Sequence, residues 1–211
     1  MMKKFLFINL FSLSMSISII ANLNDVPKIV NKEGLELLII SYGGSNSNTL
    51  VKNLELEGFT CQTNIWHKLL CHSPIYIDCN IPVIYIYDDP RKSFLSMKNR
   101  GHGFYDTNQQ KLSNNKNCTI SDENLLELMI KQFHDFTDTK RENVLIINSQ
   151  ELYKEGIVTK LNTFLNKNVK HFPIKWKKPK TSLHNINIET QKLFQKYKDE
   201  INKINNFKYN N

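Results

Sequence analysis

Glycine and proline are scarce in this chain, seven and six among 211 residues. That excludes collagen-like repeats and proline-rich architectures as the body of the protein. The four cysteines, Cys61, Cys71, Cys79 and Cys118, include no CxxC pair, so a structural zinc site lacks its usual spacing. His67 and Cys71 stand four apart and could share a helix face, but two ligands do not make a metal site, and no metal is expected. No segment repeats. Basic residues are not interleaved with aromatics on one face, so the excess of 28 Lys and Arg over 20 Asp and Glu does not read as a nucleic-acid surface. The net charge of +8 favours anionic partners of another kind, phosphate groups or acidic glycans. What is present, 40% hydrophobic and 23% charged residues, suits one globular domain with a sizeable core. Asparagine makes up about one residue in eight, which we read with the abundant Lys and Ile as compositional bias and not as chemistry.

The amino terminus has the layout of a targeting segment. Lys3 and Lys4 are followed by a mostly apolar run from Phe5 to Ile20, with the small Ala21 behind it. Residues 1–24 are therefore expected to be a secretory signal peptide or a signal anchor, with residues 25–211 as the folded domain. The expected location is the secretory pathway, secreted or membrane-anchored. The even cysteine count is compatible with export, although four cysteines allow three pairings. Asn117-Cys118-Thr119 is an N-glycosylation sequon, which matters in that compartment.

From residue 35 onward, short apolar runs alternate with helical periods. Leu35–Tyr42 reads as a buried strand, followed by a helix over 47–56 with Leu50, Val51 and Leu54 on one face and Gly58 at its stop. Ile65–Cys71 is a possible second strand. Val83–Tyr87 combines β-branched and aromatic residues and is the clearest strand. Asp89-Pro90 then gives an N-cap and a first helical residue for a helix ending at Gly101. Residues 101–120 read as a long polar surface loop. Ser121 caps a helix with the stripe Leu125, Met129, Phe133, Phe136, and Asn143–Asn148 is another buried strand. Ile157, Leu161, Phe164 and Leu165 form the next stripe. Residues 170–181 are basic and irregular, and a last amphipathic helix uses Leu193, Tyr197, Ile201 and Ile204. This alternation predicts an α/β fold, a parallel sheet with helices on both faces. In such sheets ligands bind at the carboxyl ends of strands.

Three strand ends carry the chemistry. The first is Ser41-Tyr42-Gly43-Gly44-Ser45-Asn46-Ser47-Asn48-Thr49, a strand, a Gly/Ser turn and a helix start. Consecutive backbone N–H groups and a helix dipole suit an anion there, with Ser45, Ser47 and Thr49 as further donors. No Lys precedes Ser47 or Thr49, so this is not a Walker A loop. The second is Asp88-Asp89-Pro90-Arg91-Lys92 with Ser96 beyond it. The third is Asn148-Ser149-Gln150-Glu151-Leu152, with Phe164-Leu165 closing the following helix.

In this order the three motifs, with His72-Ser73-Pro74 before the second strand, resemble the sulfotransferases, P-loop-type enzymes that use the sulfate donor PAPS. The resemblance covers about residues 35–166. Its first turn reads roughly Thr-Tyr-Pro-Lys-Ser-Gly-Thr-Thr in the family and maps onto Ser41 through Asn48. The resemblance implies a P-loop-type sheet and transfer of a sulfuryl group from PAPS to a hydroxyl acceptor on a glycan, protein or small molecule. It implies that Gly43, Gly44, Ser45, Asn46, Ser47, Asn48 and Thr49 hold the 5′-phosphosulfate and that Ser96 holds the 3′-phosphate. It implies that His72 takes the acceptor proton, since imidazole titrates near neutral pH. Two cations of the pattern are missing: Gly44 stands for the family's Lys, and Asp88 for its Arg. Positive charge would then have to come from Arg91, Lys92 or Arg100, or from the run Lys175, Lys177, Lys178 and Lys180. Two other readings stay open. One is a phosphotransferase of the same fold whose Asp88 holds Mg²⁺ with a nucleotide. The other is a non-catalytic descendant that keeps the fold.

Overall fold

The computed structural model describes residues 34–61, 72, 79–101, 106, 109, 112–113, 120–170, 172, 181–184 and 186–208. The expected leader, the strand over 65–71 and the sequon at 117–119 lie outside the described residues, as do Cys71, Cys118 and the lysines at 175, 177, 178 and 180. The described residues form a mixed α/β domain around a small open parallel sheet. Its three strands are β1 (Leu38–Ile40), β2 (Val83–Tyr87) and β3 (Val144–Asn148), in that spatial order. Leu38 pairs with Val83, and Val83 with Val144; at the other end Tyr87 pairs with Asn148. Six α-helices accompany them: α1 (Ser47–Leu56), α2 (Pro90–Lys98), α3 (Asp122–Thr137), α4 (Ile157–Leu165), α5 (Ile188–Lys196) and α6 (Lys198–Asn206).

The strands are apolar on both sides because both sides are covered. Leu37, Ile39, Ile84, Ile86, Leu145 and Ile147 face α1 and α4, meeting Leu50, Leu54, Ile157 and Leu161. Leu38, Ile40, Val83, Tyr85, Tyr87 and Ile146 face the other way, onto Phe94 of α2, Phe133 and Phe136 of α3, and Ile201 and Ile204 of α6. Each such side chain, once buried, contributes about 1.5–3 kcal/mol of transfer free energy. Tyr85 stacks on Phe136 with ring centroids 4.4 Å apart, which fixes α3 across the second face.

The helix starts follow their caps. The Asp89 carboxylate accepts from the Arg91 N–H at 2.9 Å, with Pro90 at the first helical position. Ser121 accepts from the Asn124 N–H at 3.1 Å, and Asp122 and Glu123 add negative charge to the first turn of α3. No described helix is long and apolar enough to cross a membrane.

Three expectations need correction. The first strand is shorter than residues 35–42. Its partner begins at Val83, and Pro82 can accept from Leu38 N–H at 3.0 Å but has no N–H to return. Segment 101–120 is not simply a surface loop. Leu112 is fully buried in the core, and Gln109 is buried with its side-chain amide donating to Ile120 C=O at 3.0 Å. The last amphipathic stretch is two helices that break at Tyr197, whose hydroxyl is held by Glu123 and Glu127 of α3.

Candidate functional site

The helix after β1 packs on one face of the sheet and the helix after β2 on the other. The connections therefore diverge at the carboxyl ends of β1 and β2, between α1 and α2. In open α/β sheets such a divergence of connections is where ligands bind. The buried polar residues concentrate at this edge: Ser41, Ser45, Ser47, His72, Asp88, Ser93 and Ser149.

The turn after β1 is built by its own hydroxyls. Ser41 Oγ donates to Ser47 Oγ at 3.0 Å and accepts from the Gly43 N–H at 3.3 Å. Gly43, Gly44 and Asn46 all have positive φ, at 102°, 70° and 64°. At Gly44 this conformation comes with a close approach. A Cβ there would lie 2.9 Å from Ser93 Cα and 3.0 Å from Ser93 O. The turn thus leans on the backbone of α2, and no side chain fits between them. Asn46 is the N-cap residue of α1 but gives it no side-chain cap. Its amide instead donates to the Tyr153 hydroxyl at 2.8 Å, beyond the end of β3.

Two groups tie this turn to its neighbours. The Tyr42 hydroxyl donates to Asp88 C=O and accepts from the Asp88 N–H at 2.9 Å, joining the ends of β1 and β2. His72 is buried, with Nδ1 2.6 Å from Ser41 C=O. A carbonyl only accepts, so Nδ1 carries the proton and Nε2 is the basic nitrogen of the neutral ring.

Asp88 is 3% exposed and turned inward. One carboxylate oxygen accepts from the Asp89 N–H at 2.7 Å and the other from the Ser149 hydroxyl at 2.5 Å. Burial pushes its pKa up; the Ser149 and Asp89 hydrogen bonds and the charge of Lys92 pull it partly back.

The positions taken from the resemblance fall out unevenly. Gly43–Thr49 forms a turn at the carboxyl edge, and His72 stands against it. The Arg91 guanidinium is committed to Asp89, its own helix's N-cap, at 2.7–3.2 Å. Ser96 is half-buried on α2, about 4.5 Å further along the axis than Ser93, the residue that meets the turn. Arg100 follows the far end of α2, a helix about 13.5 Å long. Other cations of this edge lie off β3. There a groove of ≈ 590 Å³ is lined by Tyr87, Asn148, Glu151, Lys154, Lys160 and Lys208, and Lys160 is paired with Glu151 at 2.9 Å.

Sequence reasoning gave no role to Ser93, Ser149 or Tyr153. The signal for Ser93 was its place one turn into a Pro-started helix, where a small residue lets the next turn approach. No family model matches the chain, and no curated protein or solved structure matches it. The geometry stands alone.

Proposed function

We propose that the chain is a sulfotransferase-like protein of the P-loop type. In this reading the Gly43–Thr49 turn holds the phosphosulfate of PAPS, and His72 serves a hydroxyl acceptor. The observation that carries the reading is the 2.6 Å contact between His72 Nδ1 and Ser41 C=O. It puts a proton on Nδ1, which leaves Nε2 as the basic nitrogen when the ring is neutral, at the first residue of a Gly/Ser turn located where α/β sheets bind ligands. The acceptor oxygen forms the new S–O bond as the bridging S–O bond breaks. Its proton passes to His72 Nε2, and the electron pair of the broken bond leaves with the nucleotide. The positive φ of Asn46, at the position where the family pattern has Gly, is a further point of agreement.

The two departures have structural counterparts. Lys cannot replace Gly44 without moving α2, because its Cβ would already collide with Ser93. Asp88 is not aimed at an anion as a bare charge, since both its oxygens accept hydrogen bonds. Donor binding then rests on neutral N–H and O–H groups, with Lys92 as the cation whose field reaches Asp88. Ser96 as the 3′-phosphate contact and Arg91 as a donor contact belong to the same proposal. Arg91 would have to leave Asp89 to take part. With residues 1–24 as leader, the protein would work in the secretory pathway, on a glycan, protein or small hydroxyl acceptor.

A second reading is favoured by one observation. A buried carboxylate at the end of β2, beside the turn, is where a P-loop-type phosphotransferase holds Mg²⁺. Calorimetric titration of the purified protein with PAP, PAPS, ATP and GTP, with and without Mg²⁺, separates the readings. The proposal expects metal-independent PAP binding that is lost in Ser45→Asp, where a carboxylate enters the turn. Binding of ATP or GTP only with Mg²⁺ would transfer the site to the second reading. No binding of any of the four would leave a non-catalytic descendant of the fold.

A further inference from the structure

Ser45 is fully buried and Ser93 is 1% exposed, yet neither hydroxyl oxygen has a hydrogen-bond partner among the described residues. A hydroxyl offers one donor and two acceptor sites, and buried side chains rarely leave all of them empty. Several neighbouring hydroxyl groups are engaged. Ser41 is bonded to Ser47, Ser149 to Asp88, Tyr42 to Asp88, and Tyr153 to Asn46. The two orphans also belong to one place. Ser45 follows Gly44, and a Cβ on Gly44 would lie 3.3 Å from the Ser93 Cβ. One hydroxyl thus belongs to the residue after the close contact in the turn, and the other to the α2 residue that makes the contact. Beside them α1 begins without a side-chain cap.

We propose that Ser93 is a ligand-binding residue. Its hydroxyl donates, with that of Ser45, to one tetrahedral oxyanion, a phosphate or sulfate group carried by a larger ligand. The inference rests on the reading of the Gly43–Thr49 turn as an anion site and adds the α2 contribution to it. Ser93, and not Ser96, is then the α2 hydroxyl closest to the group held by the turn. The pair explains how a turn with no lysine binds an anion: two sequestered hydroxyls, with no competing acceptor, are saved for it. It also explains why Gly44 bears no side chain, since one would push Ser93 away from the turn.

The test compares wild type, Ser93→Ala and Ser96→Ala by calorimetry with PAP, together with thermal unfolding of each protein without ligand. The expected result is PAP affinity about tenfold weaker in Ser93→Ala and within about twofold of wild type in Ser96→Ala. The unfolding temperature of ligand-free Ser93→Ala should equal or exceed that of wild type, because an unsatisfied buried hydroxyl has been removed. A purely structural hydroxyl gives the opposite pattern. Loss of the fold, or a lower unfolding temperature with unchanged affinity, would overturn the proposal. So would wild-type affinity in Ser93→Ala, while leaving the turn itself as a PAP site. If wild type binds no PAP, the reading of the turn falls and this inference falls with it.

Discussion

The turns after β1 and after β3 leave the same edge of the same sheet and treat their polar groups differently. After β3 the chain closes on itself. Asn148 accepts from the Gln150 N–H at 2.9 Å, Glu151 returns a bond to the Asn148 N–H at 3.0 Å, and Lys160 neutralises Glu151. After β1 the capping residue turns its side chain away to Tyr153, the helix start is left without a side-chain cap, and Ser45 has no partner among the described residues. A turn that only reverses the chain uses its side chains on its own backbone. A turn that leaves buried donors unsatisfied departs from that pattern, and each such donor calls for an explanation. The contrast sets the β1 turn apart as the candidate site.

The largest expected effect comes from the contact that separates the two turns. Gly44→Ala adds a left-handed penalty to a clash with the Ser93 backbone, together about 2–4 kcal/mol of lost stability. Gly156→Ala, at φ +93° with nothing near its Cβ position, should cost only about 1–2 kcal/mol. Urea unfolding of both variants gives the comparison directly, and equal losses would mean that α2 does not press on the β1 turn. A smaller effect is expected at Asn148. Its replacement by Ala removes the β3-turn cap, costing about 1 kcal/mol, and should leave PAP affinity untouched. Reduced affinity there would make the β3 turn part of the site.

The smallest expected effect is a pH dependence at Asp88. Burial raises its pKa in the folded state, so the fold binds more protons than the unfolded chain between the two pKa values. Stability attributable to this carboxyl is fully present below the ordinary carboxylate range. It declines as pH rises through the raised pKa and is flat above it. Asp88→Asn removes that decline. The stability of wild type minus that of the variant should therefore fall from acid toward neutral pH in thermal unfolding. A difference that grows with pH would show that the charged form is the one the fold prefers.

Much of the scaffold was legible because burial on both faces leaves an unmistakable apolar run. Val83–Tyr87 and Asn143–Asn148 could be placed almost to the residue, as could the Asp89 and Ser121 caps. The turn after Tyr42 stood out through its glycines and serines. The start of β1 was not legible, since Pro82, just before β2, sets it. Leu112 was hidden in a polar segment whose composition said loop. Within the site, Arg91 read as a free cation, but the nearest carboxylate was its own helix cap two residues back. Ser93 read as an ordinary helix residue. Its significance lies in a contact with Gly44, 49 positions earlier, and no periodicity encodes that contact.

The clamp at Tyr42 has a consequence for how the protein comes into being. Tyr42 reaches Asp88 across 46 positions, Asp88 reaches Ser149 across 61, and Asn46 reaches Tyr153 across 107. Contacts of such sequence separation close late, after their chain entropy has been overcome. The bonds from Asp88 to Ser149 and from Asn46 to Tyr153 therefore cannot form in a nascent chain that stops short of β3, nor in any fragment lacking it. An anion that fits the β1 turn selects the finished fold from everything that precedes it and stabilises that fold alone. Its binding would report the completion of folding as faithfully as any spectroscopic probe.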